Sequence, residues 1–172
     1  MEYTITHYTI NSDNTCRFVL GTYGVKPLFV VGLNPSTADD KVADSTIKRV
    51  MGFAEGNGFD SFVMLNLYPQ RATYPTDLEM EIDTAKLENN ISEILSILND
   101  YQTPTVIAAW GATISVRRYF KDCIQNLYEA TKNKDINWRK IGESTKDGHP
   151  RHPLYAPYRL PLTMFDIENY IK

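Results

Sequence analysis

Apolar and polar positions alternate along the chain in a way that separates short buried strands from amphipathic helices. Leu28–Leu33, Phe62–Leu67 and Thr105–Ala109 are short, nearly continuous apolar runs, the pattern of strands covered on both faces. Tyr3–Ile10 and Cys16–Gly21 read as two further strands joined by a turn at "NSDN". A helical period follows the first apolar run. Ile47, Val50, Met51 and Ala54 share one face, Asp44 is placed to N-cap, and Gly56 and Gly58 suit the C-terminal end. A second helix is expected from Asp77 to Leu98, burying Ile82, Ala85, Ile91, Ile94, Leu95 and Leu98. "WGATISVRRYF" turns into another helix, Asn137–Gly142 is a weaker strand, and "MFDIENYIK" can close the chain as a last helix. Buried strands alternating with helices predict an α/β fold: a three-layer α/β/α sandwich with a mostly parallel central sheet, formed by one domain over residues 1–172.

Composition narrows the class. The chain is 42% hydrophobic and 23% charged, which reads as a soluble globular protein. No apolar run reaches the length of a membrane span, and the N-terminus lacks the pattern of a secretion signal, so a cytoplasmic location with no membrane partner is expected. Cys16 and Cys123 are far apart, without metal-type spacing, and read as reduced structural thiols. The formal net charge of −3 argues against a basic coat for nucleic acid. Between Lys132 and Arg159, however, seven Lys/Arg face three Asp/Glu, and a local basic face of this kind can meet phosphate.

In parallel sheets ligands bind outside the carboxyl ends of the strands. Asn34, Asn66, Trp110 and Gly111 all stand at such ends and should line one edge of the sheet. Asn34, stiffened by Pro35, either caps the next turn or orients a water through one donor and one acceptor contact. Asn66 either satisfies nearby backbone groups or reads a base edge with paired hydrogen bonds. The stretch "GHPRHPLYAPYR" holds His149, His152, Arg151, Arg159, Tyr155 and Tyr158 among three prolines. It is either a packed crossover or a stiffened binding loop, in which a histidine donates to a leaving group, an arginine binds phosphate and a tyrosine stacks on a base. Asp39, Asp40 and Asp44 do not have the spacing of a calcium loop, and no histidine or cysteine completes a transition-metal set. Neither a metal nor a cofactor is expected. A P-loop, a GxSxG elbow and a GxGxxG motif are all missing.

In order along the chain, "VVGLNPSTADD", "DSTIKR", "VMLNLYPQRAT" and "GHPRHPLY" resemble the bacterial and phage family catalogued as domain of unknown function 1643. A second resemblance is more distant. "GLNP" at Gly32–Pro35, "MLN" at Met64–Asn66, "AWG" at Ala109–Gly111 and "HPRHPL" at His149–Leu154 are similar, in the same order, to the motifs of the uracil-DNA glycosylase superfamily. That resemblance implies a uracil-DNA glycosylase-like fold and hydrolysis, without a metal, of the N-glycosidic bond of uracil or a modified base flipped out of nucleic acid. It makes Asn34 the water-positioning residue, Asn66 the reader of the base edge, and His149 or His152 the leaving-group histidine. Gly32, Pro35, Ser36, Tyr68, Arg71, Trp110, Arg151 and Tyr155 then contact the substrate, with Phe53 or Tyr68 as the stacking aromatic. The rival reading is a non-catalytic module that binds a nucleotide or nucleic acid on the same fold.

Overall fold

The three apolar runs form the middle of one seven-stranded sheet in the computed structural model, which describes residues 1–172. The strands are β1 (His7–Ile10), β2 (Arg17–Gly21), β3 (Pro27–Gly32), β4 (Ser61–Asn66), β5 (Thr105–Ala108), β6 (Asn137–Ile141) and β7 (Leu162–Met164), and they lie in the order β1-β2-β4-β3-β5-β6-β7. The four central strands, β4, β3, β5 and β6, are mutually parallel. The outer pairings, β1–β2, β2–β4 and β6–β7, are antiparallel. The sheet is therefore mixed, and the expected parallel character holds for its middle only.

Side-chain alternation explains why the central runs are apolar at every position. Phe29, Val31, Val63, Leu65, Val106 and Ala108 join one core, shared with α2 (Thr84–Leu98) and α3 (Phe120–Thr131). Leu28, Val30, Phe62, Met64, Ile107 and Ala109 join the other, against α1 (Ser45–Gly56). Each strand is covered on both sides, and each large aliphatic side chain so buried contributes about 1.5–3 kcal/mol. No helix is long and apolar enough to cross a membrane.

Several boundaries move for local reasons. Tyr3 stays out of the β1 ladder because its hydroxyl donates to the Asp39 carbonyl and its ring stacks on Phe62 at 6.4 Å. The helix expected from Asp77 starts only at Thr84, where the Asp83 carboxylate accepts from the Lys86 N–H at 3.1 Å. Upstream, Pro75–Asp77 makes one 3₁₀ turn, and the carbonyls of Thr76, Leu78 and Glu79 accept from the Arg117 guanidinium instead of from helical amides. A 3₁₀ turn at Ala112–Val116 precedes α3. The closing helix, α4, is only Ile167–Tyr170. β7 is three residues long, too short for a period to announce it.

Candidate functional site

The strand order reverses at β3. The chain leaves β3 toward α1 on one face and leaves β5 toward α3 on the other, which opens a crevice at their carboxyl ends. The crevice is a cleft of about 390 Å³. Its walls come from the loop after β3, the start of α1, the loop after β5, the proline-rich C-terminal loop and Arg17 of β2.

Asn34 lines this cleft, and its orientation is fixed by chemistry. Nδ2 donates to the Pro35 carbonyl and to the Ala72 carbonyl, each at 2.9 Å. Turning the amide over would set Oδ1 against two carbonyl oxygens, so Nδ2 must stay where it is. Oδ1 is left as the free acceptor. Pro35 is buried, and its carbonyl also accepts from the Ala72 N–H at 2.9 Å. It ties the two loops together and does not itself line the cleft.

His152 lines the cleft as well. Its Nδ1 accepts from the Leu154 N–H at 3.2 Å. In the neutral ring Nε2 therefore carries the proton and is the donor. Burial holds its pKa below the ordinary histidine value, against a weaker opposing pull from Asp44. The close approach of this loop depends on Gly111, whose φ is +69° and where an added Cβ would stand 3.0 Å from the His152 Cβ. Beside these, the cleft presents the Ser36 hydroxyl and one carboxylate, Asp44, whose Oδ1 accepts from the Ile47 N–H at 2.9 Å. Tyr155, 81% exposed, sits at the rim. Trp110 contributes only a buried wall. Its Nε1–H donates to the Tyr170 hydroxyl at 3.1 Å, and its ring packs on Phe165.

Other expected contacts lie elsewhere. His149 is three residues from His152 but borders a second cavity with Arg117, Arg118 and Lys121. The Tyr170 hydroxyl accepts from Trp110, which can only donate, and shares a second hydrogen bond with His149 Nδ1 at 2.7 Å. Asn66 is fully buried, and neither of its side-chain polar atoms has a partner. It pairs with Gly32 across the β3–β4 ladder, and an added Cβ on Gly32 would stand 3.0 Å from its Oδ1. The cleft is lined there by Gly32 and Met64, not by Asn66. Asn34, Asn66 and His149 therefore do not share one hollow; Asn34 and His152 do.

Tyr68 is buried in the core, where it donates to Glu79 at 2.8 Å and accepts from the Asp83 N–H, and burial pushes its pKa up. Phe53 is buried under Tyr158. Neither ring offers a face for stacking; the exposed aromatic at the cleft is Tyr155. Arg71 lies behind the cleft wall, donating to the Ser36 and Ala38 carbonyls, the Tyr8 hydroxyl and Asn14. Arg151 donates from Nε to the Glu143 carbonyl within its own loop.

Two contributors escaped the sequence reading. Asp44 lines the cleft in addition to capping α1. Arg17, only 2% exposed, forms part of the cleft wall. Its Nη1 donates to the Ala38 carbonyl at 2.9 Å, its Nε has no partner, and it belongs to none of the chain's ion pairs. Burial, reinforced by the neighbouring Arg71 charge, lowers its pKa to about 10. A signal for it was present: a lone arginine inside the apolar stretch "CRFVLG".

The chain matches the family described as "Protein of unknown function (DUF1643)" over residues 17–154, and it belongs to that family. No curated protein matches. Among solved structures, a β-glucosidase, EmGH1, from Erythrobacter marinus is similar at 17% identity and a TM-score of 0.41, over 74% of this chain. This chain spans about 20% of that protein's length.

Proposed function

We propose that this member of the family binds a nucleobase in the Asn34–His152 cleft and hydrolyses the N-glycosidic bond of uracil or a modified base, in the manner of the uracil-DNA glycosylases it resembles. One observation carries the reading: a locked amide with a free acceptor and a neutral imidazole with a free donor line the same cleft. A cleft of about 390 Å³ lies in the range for small-ligand sites.

The chemistry suits those groups. As the C–N bond breaks, its electron pair leaves with the base and the sugar carbon becomes cation-like. The Nε2–H of His152 donates to the negative charge growing on the base, and a neutral donor does this without first losing a proton. Asp44, the carboxylate of the cleft, faces the cationic sugar. The Asn34 Oδ1 accepts from a water and aims it. The water oxygen forms the new C–O bond, and the proton it sheds ends on the base. Tyr155 stacks on the heterocycle from the rim.

The test is incubation with deoxynucleosides, deoxynucleotides and DNA containing uracil or modified pyrimidines, with base release scored by mass. Wild-type protein should release a base. Asn34→Ala and His152→Ala should each slow release about 10²-fold or more, whereas His149→Ala should leave it within a few-fold. Unchanged turnover in Asn34→Ala rejects the catalytic assignment. The burial of Asn66 outside the cleft favours a second reading, a non-catalytic nucleotide- or nucleic-acid-binding module, for which ligand binding without any base release is the expected result.

A further inference from the structure

Arg17 is the most costly residue in the cleft. A guanidinium that is 2% exposed, holds one carbonyl and has an orphaned Nε sits in a low-dielectric wall with no ion-paired carboxylate. Arg71 crowds it further, because the Nη1 groups of both residues donate to the same Ala38 carbonyl, at 2.9 and 3.2 Å. Arg71 makes no ion pair either. Like charges gathered on one oxygen call for an anion.

A second source of positive potential faces the same space. Ser45, Thr46 and Ile47, the first turn of the twelve-residue α1, line the cleft with Arg17. Asp44 satisfies only the Ile47 N–H. The Ser45 and Thr46 N–H groups are left without helical acceptors at the positive end of the helix dipole. Asp44 itself is a through-space counter-charge to Arg17, beyond ion-pair reach, and it leaves room for a stronger anion.

We infer that the Arg17 end of the cleft, between this guanidinium and the first turn of α1, binds a phosphate monoester, and that the ligand is a free nucleoside monophosphate. The nucleoside half of this statement rests on the proposed base site; the phosphate half does not. A monoester is chosen because a group reaching a 2% exposed arginine must end there. A phosphodiester continues on both sides and needs an open basic track. The β3–α1 loop offers a polymer the acids Asp39 and Asp40 instead.

Calorimetric titration of the full chain decides the matter, with deoxyuridine, deoxyuridine monophosphate, ribose 5-phosphate and a single-stranded uracil oligonucleotide as probes. The monophosphate should bind at least tenfold tighter than deoxyuridine, and that advantage should vanish in Arg17→Met. Ribose 5-phosphate should bind in an Arg17-dependent manner. The ligand-free Arg17→Met protein should melt at a higher temperature than wild type, because the unpaired buried charge is gone. Equal affinity for deoxyuridine and its monophosphate overturns the inference, and so does an oligonucleotide that outcompetes the monophosphate. If Arg17→Met does not fold, the comparison of the two wild-type ligands still decides. If ribose 5-phosphate binds as tightly as the monophosphate, the phosphate site stands and the nucleobase reading fails.

Discussion

Arg17 and Arg117 are both partly or wholly buried arginines that donate to backbone carbonyls, and they stand in two regions of opposite character. Arg117 grips the segment before α2: Nε donates to Glu79 at 3.0 Å, Nη2 to Thr76 and Leu78 at 2.7 Å, and Nη1 to Val116 at 3.0 Å. Every nitrogen is used, and the arrangement explains a stretch of chain that would otherwise continue as helix. Arg17 makes one such bond and leaves Nε orphaned. The two other conspicuous features near it are of the same kind: Asn66, buried with no partner, and Asn34, with its acceptor free. Saturated donors mark a clamp whose task is finished on folding. Buried donors left without partners, as at Arg17 and Asn66, cost stability instead of adding to it.

The comparison breaks most visibly at the clamp. Arg117→Ala should destabilise the protein by about 2–3 kcal/mol, read as a fall in the urea midpoint, because several carbonyls lose a charged donor at once. Asn34→Asp comes next, at about 2 kcal/mol. The substitution removes the Nδ2 donor and sets a carboxylate against the Pro35 and Ala72 carbonyls, so the loss should exceed that of Asn34→Ala in the same urea series. Asn66→Leu should act in the opposite direction and raise stability by about 1–2 kcal/mol, since an apolar side chain there leaves no buried amide unpaired. A fall in its melting temperature would mean that Asn66 is satisfied in solution and does not belong with Arg17.

The smallest effect is the pH dependence of His152. Burial lowers its pKa in the folded state, so the unfolded chain binds more protons between that value and the ordinary histidine value of about 6.5. Stability from this group is complete above the unfolded pKa and is lost as pH falls toward the folded one. His152→Gln should flatten the acid limb of a melting-temperature profile over that window. His149→Gln, at the tyrosine-paired ring, should leave the His152 contribution in place. An unchanged acid limb in His152→Gln would show that the imidazole is not held neutral by burial.

The local pattern carries the centre of the scaffold and the edge at which the cleft opens, but not the antiparallel outer pairings. Three apolar runs read as strands covered on both faces became β3, β4 and β5, because alternation is absent only where both faces are buried. The rule that ligands sit at their carboxyl ends places Asn34 at the cleft, whereas Asn66, expected there by the same rule, is buried outside it. The start of α2 at Thr84, rather than near Asp77, could not be read, because it depends on Arg117, thirty-odd residues downstream, capturing carbonyls that a local period assigns to helix. The three-dimensional arrangement alone places His152, and not His149, in the cleft with Asn34. The irregular stretch from His149 to the extended His152 sends two neighbouring rings to different cavities, and no spacing rule covers that. The tertiary structure alone also revealed Arg17, for a physical reason: local sequence sets hydrogen-bonding capacity, but whether a charge is buried, paired or left waiting depends on groups brought to it from distant parts of the chain.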